Sequence, residues 1–88
     1  MKGSDDAVFK AELKRLIVEA CDKDEAPESI ADDAVLFGDA SALALDSVDG
    51  LQISMALQKR YGVRITDGKE MRRIFTSVNA LADFLRPA

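Results

Sequence analysis

The chain has 88 residues, 48% of them hydrophobic, with a net charge of −4 and a pI near 4.7. That is room for one domain, 1–88, with one core, and too apolar a composition for wholesale disorder. The acidity disfavours nucleic acid, the absence of histidine excludes histidine-based acid–base or metal chemistry, and the single cysteine, Cys21, allows no intrachain disulfide.

The N-terminus carries no apolar signal core and no apolar run reaches membrane length, so a cytoplasmic, monomeric protein with no membrane or nucleic-acid partner is expected. The first helix is signalled by Ser4, Asp5 and Asp6, good capping and first-turn residues. Phe9, Leu13, Leu16, Ile17 and Ala20 then recur at helical spacing, and Pro27 rules out continuation. Residues 27–45 hold Ile30, Val35, Leu36, Phe37, Leu43 and Leu45, too many apolar side chains for a free linker. They predict a long loop pinned onto the core, with a short helical turn near Asp33 and a turn at 38–41; Asp32 and Asp33 read as solvated loop charge.

The second helix is expected over 47–60. Ile53, Leu57 and Tyr61 form one apolar stripe, with Ala56 beside it. Val48, Leu51 and Met55 form another, roughly a third to a half of a turn away. One stripe faces the core; the other is either core as well or a surface patch kept for a partner, and the flanking Gln52 and Lys59 favour exposure. Gly62 is a left-handed stop. Residues 63–66 are a short extended run, and Asp67 with Glu70 fits a capping box opening a short helix, Gly68–Ile74. Thr76 or Ser77 caps the last helix, whose stripe is Val78, Leu81, Ala82 and Leu85 and which Pro87 closes. The sum is an all-α four-helix bundle, three longer helices and one short, with a long first loop.

Asp46-Ser47-Val48-Asp49 stands where the second helix begins. A serine there has two readings. It can cap the helix by accepting backbone N–H bonds, or it can hold a hydroxyl outward at the positive end of the helix dipole, where a phosphate is favoured. Gly50 follows in the first turn, where a helical glycine costs at most about 0.5–1 kcal/mol against alanine and gives flexibility. Cys21 reads as a small, partly buried residue, since no histidine is present to activate it. A calcium loop is rejected: Val48 and Gly50 occupy the ligand positions that would follow Asp46.

Taken together, Asp46-Ser47-Val48-Asp49, the helix that follows it, Tyr61-Gly62-Val63-Arg64-Ile65, Asp32-Asp33, Leu36-Phe37-Gly38 and Ser77-Val78-Asn79-Ala80-Leu81 resemble the acyl carrier proteins over nearly the whole chain. The resemblance implies the four-helix fold with its long first loop. It also implies that Ser47 carries 4′-phosphopantetheine, delivered from coenzyme A by a magnesium-dependent phosphopantetheinyl transferase (a holo-carrier synthase). Acyl groups would then ride on the arm's thiol as thioesters, in fatty acid or polyketide-type biosynthesis, and the protein would not itself be an enzyme. Partners would be that transferase and acyl-loading and condensing enzymes. Asp46 would lie near the transferase metal, and Asp46, Val48, Asp49, Leu51 and Met55 would form the partner-binding face. The sequence departs from typical fatty-acid carriers in having Gln52, Gln58, Lys59 and Arg60 where acids are common, which points to a specialised carrier with dedicated partners. The competing reading is an unmodified helical interaction module that uses the Val48, Leu51 and Met55 face.

Overall fold

The computed structural model describes residues 2–38, 44–65 and 67–87. Four helices build the core: α1 (Ala7–Ala20), α2 (Ser47–Tyr61), α3 (Gly68–Ile74) and α4 (Val78–Leu85). α1 begins at Asp6, whose side chain accepts the N–H of Phe9 at 3.1 Å. Ser4 and Asp5 instead belong to a short 3₁₀ turn, Gly3–Asp5. The buried face of α1 is Phe9, Leu13, Leu16 and Ile17, as the spacing predicts, joined by Val18, while Ala20 is only half-buried. α2 ends where Gly62 turns left-handed at φ 70°, a conformation a Cβ would strain.

α3 is capped by Asp67, which accepts from Lys69 N–H at 2.9 Å. The expected capping box does not close there, because the Glu70 carboxylate turns to Arg73 at 2.6 Å. Ser77 caps α4 through the N–H of Ala80; the Thr76 hydroxyl donates to the carbonyls of Arg72 and Arg73. α4 has eight residues, one more than α3, so two long helices pair with two short ones rather than three with one. Residues 63–65 form no strand.

Leu13, Ile17, Ile53, Leu57, Phe75, Val78 and Leu81 are fully buried at the centre. The loop before α2 completes this core with Ile30, Leu36 and Leu45. Its helical turn is a 3₁₀ turn at Pro27–Ser29, set by the proline, and not near Asp33, where the chain makes only a turn. The loop is pinned by backbone bonds. Leu36 N–H donates to Thr76 C=O at 3.3 Å, Leu45 N–H to Leu36 C=O at 3.3 Å, and Gly38 N–H to Leu45 C=O at 3.1 Å, making a parallel bridge between Phe37 and Leu45. Of the expected turn at 38–41 only Gly38, at φ 92°, is described; residues 39–41 and Leu43 lie outside the described residues.

Asp32 departs from its expected role as solvated charge. Its carboxylate receives Lys10 at 2.8 Å and Lys14 at 2.6 Å, two lysines that are themselves largely covered. Its carbonyl accepts the N–H of Asn79 at 2.9 Å. One residue thus ties the loop to α1 and α4, and the lysine hydrogen bonds hold its carboxyl below the usual carboxylate range.

The chain ends are stitched together too. Gly3 N–H donates to Arg86 C=O at 2.8 Å, and Gly3 lies so close under α4 that a Cβ would strike the Ala82 carbonyl. Arg86 reaches back to Asp6 at 3.2 Å and lies 4.0 Å over the Phe9 ring.

Asp32→Asn should lower stability by about 1 kcal/mol at neutral pH. Because the folded-state pKa of Asp32 is depressed, its contribution is present above the ordinary value of 3.8 and is lost as pH falls below it. Urea melts of the two proteins should therefore differ at pH 7 and converge towards pH 3.

Candidate functional site

At the start of α2 the capping work falls to Asp46, one residue earlier than Ser47. Asp46 is extended, at φ −117° and ψ −172°, and its carboxylate accepts the N–H of Asp49 at 3.0 Å. Asp49 returns the bond, its own carboxylate accepting the N–H of Asp46 at 3.1 Å. This closed pair of bonds is the capping box of the structure. The Asp49 N–H bond holds the Asp46 carboxyl below its ordinary pKa.

Ser47 is therefore the first residue inside the helix and not its cap. It is exposed, and its hydroxyl has no hydrogen-bond partner among the described residues. A free hydroxyl at a helix start, beside N–H groups without an intrahelical partner, is accessible to a modifying enzyme and suited to carry a phosphodiester.

Asp49 is more enclosed than Asp46. Its side chain is 17% exposed, Lys23 lies 3.9 Å away, and its carbonyl accepts the Cys21 thiol at 3.7 Å. Cys21 sits at the C-terminal end of α1 as the expected half-buried residue. Burial first, and the Asp49 carboxylate next, push its thiol pKa up to about 11, so it remains protonated and unreactive at neutral pH.

Ser47 stands on the rim of a cleft of about 520 Å³ between α2, α3 and the pinned loop. Val35, Phe37 and Leu45 supply the loop wall, Met71 and Arg72 the α3 wall, and Gly50 lies between them. Gly50 is buried, and a Cβ there would meet the Met71 sulfur at 3.0 Å and the Phe37 ring at 3.4 Å. Its part in the site is close packing, which its place in the first turn of a helix did not reveal. The Phe37 ring stacks on Phe75, centroids 6.2 Å apart, which fixes the loop wall against the core.

The two stripes of α2 separate as predicted. Ile53 and Leu57 are fully buried and Tyr61 packs edge-on against Phe9 at 6.0 Å. Val48, Leu51 and Met55 are 62%, 56% and 58% exposed, an apolar stripe running from the residue after Ser47 along the outer face. Asp46, Ser47 and this stripe form one continuous surface; Asp49 faces inward from it. Among the described residues no cluster of acidic or cysteine side chains could hold a metal ion, and no helix is long and apolar enough to cross a membrane.

Compared with known families, residues 11–85 match the one described as the phosphopantetheine attachment site. Comparison with curated proteins gave no match.

Gly50→Leu should destabilise the protein by about 1–3 kcal/mol by overfilling the cleft. Gly50→Ala should change stability by less than about 1 kcal/mol, since the flexible Met71 side chain can shift and alanine improves the helix. Denaturant melts of the two variants measure the difference.

Proposed function

The chain belongs to the phosphopantetheine-attachment family and carries that prosthetic arm covalently, and from that premise we propose that Ser47 is the attachment residue of a discrete acyl carrier. The observation that carries this reading is the division of labour at the start of α2. Asp46 and Asp49 satisfy the helix end between them, and the Ser47 hydroxyl is left outward and unbonded. When bound, the arm supplies the thiol on which acyl groups are held as thioesters.

The protein's own residues present, orient and dock. The partly positive N-terminal end of α2 offsets part of the repulsion that Asp46 and Asp49 exert on the negative charge added at Ser47. Asp46, exposed and kept ionised by its hydrogen bond, offers a carboxylate to the metal-bearing site of the transferase. Val48, Leu51 and Met55 offer apolar contact to the transferase and to acyl-loading and condensing enzymes. Asp49 supports that face from behind through the capping box. The apolar cleft beside Ser47 is the natural shelter for a short acyl chain.

The sequence holds no histidine, and Cys21 is held protonated. On this reading the protein is a monomeric cytoplasmic carrier on which enzymes act, and the chemistry of acyl transfer belongs to the arm and to those enzymes. Gln52, Gln58, Lys59 and Arg60, all exposed on α2, favour a dedicated partner set over the general fatty-acid machinery, in a polyketide-type or related pathway.

The test is modification itself. Incubated with coenzyme A, magnesium and a broad-specificity phosphopantetheinyl transferase, the protein should gain the mass of one arm, and Ser47→Ala should gain none. A gain that survives Ser47→Ala would move the site elsewhere, and no gain would favour the unmodified interaction module. Separately, Met55→Glu should slow modification or acyl transfer by about tenfold while far-ultraviolet helicity stays unchanged, because a charge there desolvates poorly at an apolar contact.

A further inference from the structure

Charge is unevenly distributed along this chain. Residues 59–73 hold six basic and two acidic side chains, a net +4, whereas the rest of the chain holds six basic and fourteen acidic, a net −8. The positive segment covers the last turn of α2 and nearly all of α3, so the cleft beside Ser47 has banks of opposite sign. Asp46, with Asp49 behind it, lies on the α2 side, and α3 supplies the cations. On α3, Arg73 is already paired with Glu70 at 2.6 Å. Arg72 borders the cleft itself, is exposed, and its guanidinium has no ion-pair or hydrogen-bond partner among the described residues. Lys23, 3.9 Å from the Asp49 carboxylate, is directed to that residue.

An anion tethered to Ser47 therefore meets the Asp46 carboxylate on its own bank, with Asp49 behind it, and, among the described residues, the unpaired Arg72 guanidinium across an apolar cleft of about 520 Å³. Like charges repel it from the first, and the planar guanidinium matches paired anionic oxygens in geometry. We propose that Arg72 is a positioning residue that binds an anionic oxygen pair carried on the Ser47 arm and so draws the arm or its cargo across the cleft towards α3. This rests on Ser47 being the attachment residue. Two sources could supply those oxygens, the phosphodiester at the root of the arm and a carboxylate at the far end of the acyl cargo.

The test uses the full chain with arginine side chains labelled by nitrogen-15, in four forms: unmodified, arm alone, arm with a butyryl group, and arm with a succinyl group. Intact mass first establishes that the arm is present and absent in Ser47→Ala. The Arg72 Nε–Hε resonance should then shift, and 0.5 M salt should reverse the shift, since an exposed ion pair is screened. The Arg73 resonance, held by Glu70, is the internal control.

A shift on adding the arm alone, matched by a displaced phosphorus resonance in Arg72→Gln that Arg72→Lys restores in part, upholds the proposal with the phosphodiester as its anion. A shift seen only with succinyl, and not with butyryl, upholds it with the cargo carboxylate. An Arg72 resonance that stays unmoved in all four forms, with the arm demonstrably on Ser47, overturns the proposal and leaves the carrier reading intact. Failure to find the arm on Ser47 removes both.

Discussion

The site depends on a pair of reciprocal hydrogen bonds only 3.0 and 3.1 Å long, between the carboxylates and backbone N–H groups of Asp46 and Asp49. Every helix start leaves N–H groups without intrahelical partners, and a short polar side chain normally turns inward to meet one of them. A serine given that duty has its oxygen pointed at the backbone. Here two aspartates take the duty, and the serine between them is left facing solvent. The same carboxylates give the neighbourhood of the hydroxyl a negative potential, so the local structure and the local electrostatics are set by one feature.

The cleft beside this helix has a separate origin. Helix α2 needs a wall on its far side, and a free loop would not provide one. The loop becomes a wall because its backbone is bonded at Leu36, Gly38 and Leu45, its Asp32 is clamped by two lysines, and Phe37 is stacked on Phe75. Gly50 then allows that wall and α3 to approach α2 closely. The cleft is thus made from segments distant in sequence, and its shape relies on tertiary contacts more than on any one helix.

How much of this was legible in the sequence depended on the range of the interaction. The apolar stripes of α1, α2 and α4 are periodic over several turns, and burial follows that period, so Leu13, Ile53, Leu57 and Leu81 were found and the outward stripe of Val48, Leu51 and Met55 was separated from them. Gly62 and Ser77 act through their own backbone turns and were also readable. Contacts that cross the molecule left no local trace. Asp32 looked like any loop acid because Lys10 and Lys14 lie on another helix, and Gly50 looked merely tolerated because Met71 and Phe37 come from elsewhere. The capping box is expected at Asp67 and Glu70 and is found at Asp46 and Asp49 for a different reason. Asp67 with Glu70 and Asp46 with Asp49 have the same spacing, and which of them closes is decided by competition: Arg73 draws Glu70 away, while Lys23 stands behind Asp49 without displacing its bond.

The stitched ends of the chain carry a further implication. With Gly3 bonded to Arg86, and Arg86 folded back onto Asp6 and Phe9, the segments at residues 3 and 86 lie side by side. A short bridge joining the two ends would add little strain, and new ends opened in an exposed turn would leave the same contacts available, so a circularly permuted version is compatible with this architecture. Anything fused at either end would also be moored at one shared spot, and two such neighbours would compete there for room.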